Sequence, residues 1–271
     1  MMLSRIAMIM ACLTLAACGG RRHDDTPKES IVVPGYESVQ DGEFFIQAVD
    51  SKYLFDGQGR TEVDYFGDDE AGSIVVDTFA RKLYFILDGG RALRYSIAVG
   101  REGLSFRGTG VIGRMEDGPT WTPTSNMVRT RPDLYADYAG GLPGGLENPL
   151  GARAMYLYRG GRDTYFRIHG TMDNASIGHA TSAGCIRLFN QDALDLYGRV
   201  ERGSRVKVRS LEESLEREGP YMDDAYGYAV PETPENIARK ESDLAELAAQ
   251  NILEPDEEKR IEDAASAAGS N

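Results

Sequence analysis

Twice in this chain a run of aromatic and branched residues stops at a glycine pair and restarts just beyond it. Leu83 to Leu87 leads into Asp88-Gly89-Gly90 and then Ala92 to Val99; Ala154 to Tyr158 and Thr164 to His169 flank Arg159-Gly160-Gly161. Tight turns between strands need left-handed backbone, which glycine enters without steric cost, so both stretches predict β-hairpins. Ile74 to Val76 reads as a buried strand, and Val206 with Val208 as a closing one. From Gly72 onward the chain is therefore β-rich. One helix is expected at Gln191 to Arg199, capped by Asn190, with Ala193, Leu194, Tyr197 and Val200 on its inner face. The expected class is mostly β, a β-rich α+β domain with one or two short helices.

Between the hairpins lies Asp117 to Gly151, a stretch with six glycines and five prolines. A loop of that length inside a domain is usually functional or disordered. Trp121, Tyr135 and Tyr138 within it argue for an ordered lid. Residues 43–71 carry short apolar groups, Phe44 to Ile46 and Tyr53 to Phe55, and are expected to pack on the domain as a preamble. Residues 210–271 read as an acidic, partly helical or disordered tail. Residues 211–271 hold 17 acidic and 5 basic side chains, nearly all of the net charge of −13. Thr233-Pro234 and Pro255 mark two helix starts there, but apolar positions are sparse, so a mobile, solvated appendage is expected. The acidic balance argues against a nucleic-acid partner. With 27% charged residues and no apolar run reaching the ~18 a membrane helix needs, a multi-span membrane protein is excluded.

The first residues carry Arg5 and then an apolar stretch from Ile6 to Ala17, the pattern of an export signal. Leu15-Ala16-Ala17-Cys18-Gly19 resembles a bacterial lipobox, which implies removal of residues 1–17 and a lipid on Cys18. A plain secretory cleavage site and an uncleaved anchor are the alternatives. Residues 18–42 then read as a polar lipidated tether; ~24 flexible residues span roughly 27 Å on average. Gly19 after the lipidated cysteine is compatible with transfer to an outer membrane. Cys12 leaves with the signal, so Cys185 is the one thiol of the mature domain and no disulfide forms within it. By count alone, a reactive thiol and an inert buried one stand level.

The chemistry concentrates in residues 167–197. His169 ends a strand, Gly170 follows, and Cys185 comes within Ser182-Ala183-Gly184-Cys185-Ile186-Arg187. A cysteine nucleophile needs a neighbour that stabilises its thiolate and shuttles a proton, and imidazole does both. Gly184 lets a substrate carbonyl approach the backbone, where N–H groups including that of Cys185 can hold an oxyanion. If Cys185 to Arg187 is extended, both side chains share a face and set a guanidinium beside the sulfur. One such charge at ~4 Å and an effective dielectric near 20 is worth about 4 kcal/mol. That lowers a thiol pKa by roughly 3 units, so a resting thiolate is expected. His179 reads as a cleft-rim residue. A metal bound by His169, His179 and Cys185 fits none of the tight zinc spacings. Papain-type peptidases place cysteine before histidine, the reverse of this order.

Taken together, Ile168-His169-Gly170-Thr171, Ser176-Ile177-Gly178 and Ser182 to Arg187 resemble the L,D-transpeptidases with a YkuD-type catalytic domain. Ile74 to Leu87 and Asn148 to Tyr158 extend the resemblance over residues 72–209. It implies a YkuD-like β-sandwich with a long lid loop. It also implies roles: Cys185 the nucleophile, His169 the proton donor and acceptor, and the Gly170 carbonyl orienting His169. Gly184 would lie at the oxyanion, and Arg187 and Ser182 would meet the substrate. Many members carry histidine where this chain has Ala183, so any help from that side chain is absent here.

The resemblance further implies a peptidoglycan enzyme. Cys185 would attack the L-centre carbonyl of a tetrapeptide stem, release D-Ala and pass the acyl group to an amine. The amine would belong to another stem, giving a 3→3 cross-link, or to an outer-membrane protein; water as acceptor would make a carboxypeptidase. No cofactor or metal is implied. Expected partners are peptidoglycan stems, outer-membrane proteins as acceptors, and the membrane through the lipid alone, with the protein a monomer on the periplasmic side, in the outer membrane rather than the inner. A non-catalytic wall-binding lipoprotein is the rival class, disfavoured because Cys185 and His169 are both present. A third reading makes the acidic tail an occupant of the arginine-lined cleft or a partner-binding arm.

Overall fold

Ile74, Val75 and Val76 are all fully buried, so the strand they form needs apolar cover on both faces. In the computed structural model, which describes residues 33–55, 57–100, 106–182 and 184–249, that cover comes from one nine-stranded sheet. The order across it is Ile186–Arg187, Arg162–His169, Arg153–Arg159, Gly108–Asp117, Arg205–Val208, Ile74–Asp77, Lys82–Leu87, Arg91–Ser96 and Thr61–Asp64. Most neighbours are antiparallel. Arg162–His169 with Ile186–Arg187, and Arg205–Val208 with Ile74–Asp77, are parallel.

The sheet curls back on itself. Beyond Ser96 the chain runs on to Ala98, whose amide and carbonyl exchange hydrogen bonds of 3.0 and 2.9 Å with Arg187. The two layers of the sandwich are thus the halves of one continuous sheet. Ile74, Leu83, Phe85, Tyr95 and Ile97 from one half pack with Ile112, Met155, Leu157, Ile168 and Ile186 from the other. Both expected hairpins form, and Gly89, Gly90, Gly160 and Gly161 all have positive φ, as the turns require.

The helix forms at Asn190–Tyr197, one residue earlier than expected. Phe189 occupies the N-cap without a side-chain bond, so Asn190 is not the cap. Ala193, Leu196 and Val200 enter the core, while Leu194 and Tyr197 are only partly buried. The preamble does pack: Thr61–Asp64 is the edge strand of the main sheet. Packing also reaches further back than residue 42. Tyr36 is buried and donates to the buried Asp192 at 2.9 Å, Arg60 joins that carboxylate at 3.1 Å, and Arg153 holds Asp41 at 2.6 Å. Residues 33–42 therefore belong with the domain and not with a tether. Burial pushes the Asp192 carboxyl up to about 7 despite Arg60.

The expectation of a solvated tail from residue 210 also fails for its first part. Ser210 and Glu213 form a capping box that starts the helix Leu211–Arg217. Ser214 donates to Asp77 at 2.9 Å, and Arg209 bridges Asp77 at 3.2 Å and Glu218 at 2.6 Å. The Tyr84 hydroxyl also reaches Glu218, at 2.7 Å. Further on, Tyr221–Asp223 pairs with Ala229–Pro231, and the buried Arg81 guanidinium donates to the carbonyls of Gly178 and Gly227. The buried acceptors Asp77 and Gly178 dock this segment, which a reading of local apolar pattern does not register. The helix expected at Thr233-Pro234 forms at Pro234–Ala249 and buries none of its residues. The signal, Cys18 and the helix expected at Pro255 lie outside the described residues.

Removing Arg209 leaves Asp77 as a buried carboxylate without its cation. Arg209→Ala is therefore expected to lower the unfolding free energy by about 3–5 kcal/mol in urea titrations. A chain ending at Thr233, which loses only the exposed helix and the residues after it, should lose under about 1 kcal/mol.

Candidate active site

The parallel pair of Arg162–His169 with Ile186–Arg187 sets Ile168 level with Ile186 and His169 level with Arg187. Both isoleucines point into the core, so alternation sends Arg167, His169 and Arg187 to the opposite face. Cys185 comes just before the strand Ile186–Arg187, and its sulfur lies under the influence of the Arg167 amide and of the Arg167 and Arg187 charges. The histidine strand carries a bulge between Asp163 and Arg167, where Tyr165 takes a left-handed φ of 64°. Such bulges re-aim the side chains that follow them.

His169 is 3% exposed, and its Nδ1 lies 2.6 Å from the Gly170 carbonyl. A carbonyl only accepts, so Nδ1 carries the proton and Nε2 is left with its lone pair. No carboxylate is needed to set this tautomer. The turn after the histidine is held by Asn190, whose amide donates to the Thr171 carbonyl at 2.9 Å and accepts from the Ala152 amide at 2.9 Å. A Cβ on Gly170 would lie 2.1 Å from the Asn190 Oδ1, so this position requires glycine. Gly184 has a φ of 124°, which gives the backbone before the sulfur a path that side-chain-bearing residues rarely take.

Arg187 is joined by a second cation that the sequence reading did not single out. Arg167 is clamped by Asp163 at 2.7 and 2.9 Å and lies 4.3 Å over the Tyr156 ring. Arg114 covers the same ring at 3.6 Å, and the Tyr156 hydroxyl is tied to Glu116 at 2.5 Å. These residues line up across neighbouring strands, since Tyr156 pairs with both Arg167 and Arg114. The signal was present as an arginine two residues before the histidine, but only cross-strand register shows what it faces.

The charges correct the expectation of a resting thiolate. Burial pushes the Cys185 thiol up, with Arg167 and then Arg187 opposing it. Burial likewise drives the His169 imidazole down to about 3, against the Gly170 carbonyl. The resting pair is thus a neutral thiol and a neutral imidazole: burial outweighs the two guanidinium charges at the sulfur, and at the imidazole burial and those charges act together.

The lid is ordered. Trp121 sits between Tyr135 and Tyr138, at centroid distances of 6.2 and 6.4 Å, and exchanges backbone bonds with Leu142. Asn148 ties its base, donating to the carbonyls of Pro119 and Pro143. Trp121 packs with Leu150, Ala154, Tyr156 and Tyr158, on the face of the sheet that carries His169. His179, by contrast, is half-buried, and its ring lies tilted against Tyr228 with centroids 4.0 Å apart. Ser182 ends the short strand Ala180–Ser182, but its side chain and Ala183 lie outside the described residues.

The family model for the YkuD L,D-transpeptidase catalytic domain matches residues 71–208. The chain belongs to this L,D-transpeptidase family. A putative L,D-transpeptidase from the ATP synthase subunits region of Fuscovulum blasticum is 36% identical over 148 residues, covering 54% of this chain and 73% of that protein. The probable L,D-transpeptidase ErfK/SrfK of Salmonella typhimurium is 34% identical over 151 residues, covering 54% of this chain and 47% of its own length. A solved structure from Brucella melitensis, titled a probable carnitine operon oxidoreductase, is 42% identical, covers 59% of this chain and 98% of that one, and has a TM-score of 0.40. This L,D-transpeptidase chain therefore spans under half the length of its Salmonella relative. The family match also stops short of the preamble and of the docked segment after residue 209.

Two measurements check these charges. An exposed imidazole titrates near 6.5, so between there and about 3 the unfolded chain binds a proton that the folded one refuses. This contribution to stability is complete above pH 6.5 and drains away as pH falls toward 3. In His169→Gln, the fall of unfolding free energy from pH 6 to pH 4 should be shallower by about 1.4 kcal/mol per pH unit. Arg167→Met, which keeps the chain over Tyr156 and the backbone amide but removes the charge, should move the pH midpoint of Cys185 alkylation by iodoacetamide upward.

Proposed function

We propose that this domain is a cysteine acyltransferase acting on peptidoglycan stems. The observation that carries the reading is a buried His169, oriented by the Gly170 carbonyl, and a Cys185 thiol that feel the same two charges, Arg167 and Arg187, beside an ordered lid. The donor is a tetrapeptide stem whose third residue offers its L-centre carbonyl to Sγ. Because the resting thiol is neutral, His169 Nε2 takes its proton as sulfur attacks. Arg167 and Arg187 stabilise the negative charge that develops on sulfur, and the Gly170 carbonyl accepts from Nδ1–H while the ring is charged. Backbone N–H groups at Gly184 and Cys185 hold the oxyanion. The imidazolium then gives its proton to the leaving D-Ala nitrogen, and a thioester remains on Cys185. In the second half an amine is deprotonated by Nε2, attacks the thioester and expels the sulfur.

The acceptor is a stem amine, for a 3→3 cross-link, or an amine of an outer-membrane protein. The aromatic lid limits water and so favours amine over hydrolysis. Arg187, whose charge acts on Cys185, suits a stem carboxylate. The protein is exported, carries lipid on Cys18 and works on the periplasmic side from the outer membrane.

Incubation with a tetrapeptide stem should release one D-Ala and leave a tripeptide acyl adduct on Cys185, read by mass spectrometry. His169→Ala should slow acylation by a factor on the order of 10² to 10⁴. A pentapeptide, whose terminal bond joins two D-centres, should react poorly. Equal reaction with pentapeptide, or an adduct that persists in Cys185→Ala, would overturn the assignment.

A further inference from the structure

A cleft of about 260 Å³ opens beside the turn that follows His169. Its walls come from the preamble after Phe44, from Leu146 of the lid, from Thr171, Met172 and Asn174, and from the start of the helix at Asn190. Phe45 and Met172 stand at its mouth, 56% and 57% exposed. Strand alternation explains why position 45 faces outward: Ile46 is buried, and the Phe44 ring fills the space beside Gly118. Alternation does not ask for phenylalanine there, and two large apolar side chains exposed at one cleft mark a binding surface.

The second feature is charge. Of the whole chain 27% is charged, yet among the described residues none that lines this cleft is ionisable. Its polar groups are amides and a hydroxyl, from Gln47, Asn174, Asn190, Gln191 and Thr171. A matching ligand is uncharged, carries hydroxyl and amide groups, and has one apolar face. An N-acetylated sugar ring meets all three conditions, whereas the carboxylates of a stem peptide meet none. We propose that this cleft holds an N-acetylated sugar of the glycan strand from which the donor stem hangs. The acetamide would bond with the side-chain amides, its methyl would lie against Met172 and Leu146, and the ring face would cover Phe45. Reach allows it: three stem residues extend roughly 10 Å at about 3.3 Å each, and Thr171 lies two residues beyond His169. The family match begins at residue 71, so the Phe45 wall belongs to this chain's preamble.

The inference rests on the transpeptidase reading, and the test separates the two. The Cys185→Ala protein is titrated calorimetrically with chitotriose, an uncharged N-acetylglucosamine trimer, with and without Phe45→Ala or Met172→Ser, each variant first checked for an unchanged melting curve. Saturable binding that either substitution weakens on the order of tenfold is expected. In the active protein, a disaccharide-tetrapeptide should exceed the free tetrapeptide in kcat/KM by a similar factor, and Phe45→Ala should bring that ratio toward one. Absent chitotriose binding, binding that neither substitution changes, or a ratio near one in the parent overturns the proposal. If neither donor acylates the parent, the transpeptidase reading falls, and the titration alone decides the sugar site.

Discussion

The pairing of two very short stretches, Ile168-His169 with Ile186-Arg187, is the contact on which the site depends. It is parallel, so the intervening residues must leave the sheet and return, and the chain does this through the segment that includes Gly178 and Gly184. The buried isoleucines fix the register, since a slip by one residue would turn His169 and Arg187 into the core. The Leu188 amide, bonded to the His169 carbonyl at 2.8 Å, extends the pair, and the exchange between Arg187 and Ala98 closes the sheet around the same point. The stability of the core and the alignment of His169 with Arg187 are therefore one constraint.

Burial then decides the resting protonation states. A histidine 3% exposed is a poor place for a positive charge, and the two arginines nearby make it poorer. The same arginines favour a thiolate, but desolvation opposes it. The His169–Cys185 pair thus rests uncharged, with the Gly170 carbonyl already placed against Nδ1–H. Preorganisation of this kind relies on Asn190 and Gly170 fitting against each other, because any side chain at Gly170 would displace the Asn190 amide.

The parts outside the family match complete the domain. From the N-terminal side, Tyr36, Arg60 and the Asp192 carboxylate tie the preamble to the helix that carries Asn190. From the C-terminal side, Arg209, Ser214 and Glu218 close over Asp77 and Tyr84. Each junction buries ionisable groups that are satisfied only when both partners are present, which couples the flanking segments to the catalytic sheet.

Residue order determined much of this protein by itself. The glycine pairs dictate both hairpins because few other residues accept their backbone angles, and the segment from His169 to Arg187 carries the likeness to the family to which the chain belongs. The aromatics of residues 117–151 announce an ordered lid. Tertiary structure alone decided the rest. That Asn190 holds the histidine turn rather than a helix end, that Arg167 faces the thiol's strand, and that Tyr36 and Ser214 dock on buried carboxylates all depend on partners many residues distant. Local pattern cannot supply them. The protonation states belong to the same class, since an imidazole titrates according to how much water and which charges surround it, and only the folded chain sets both.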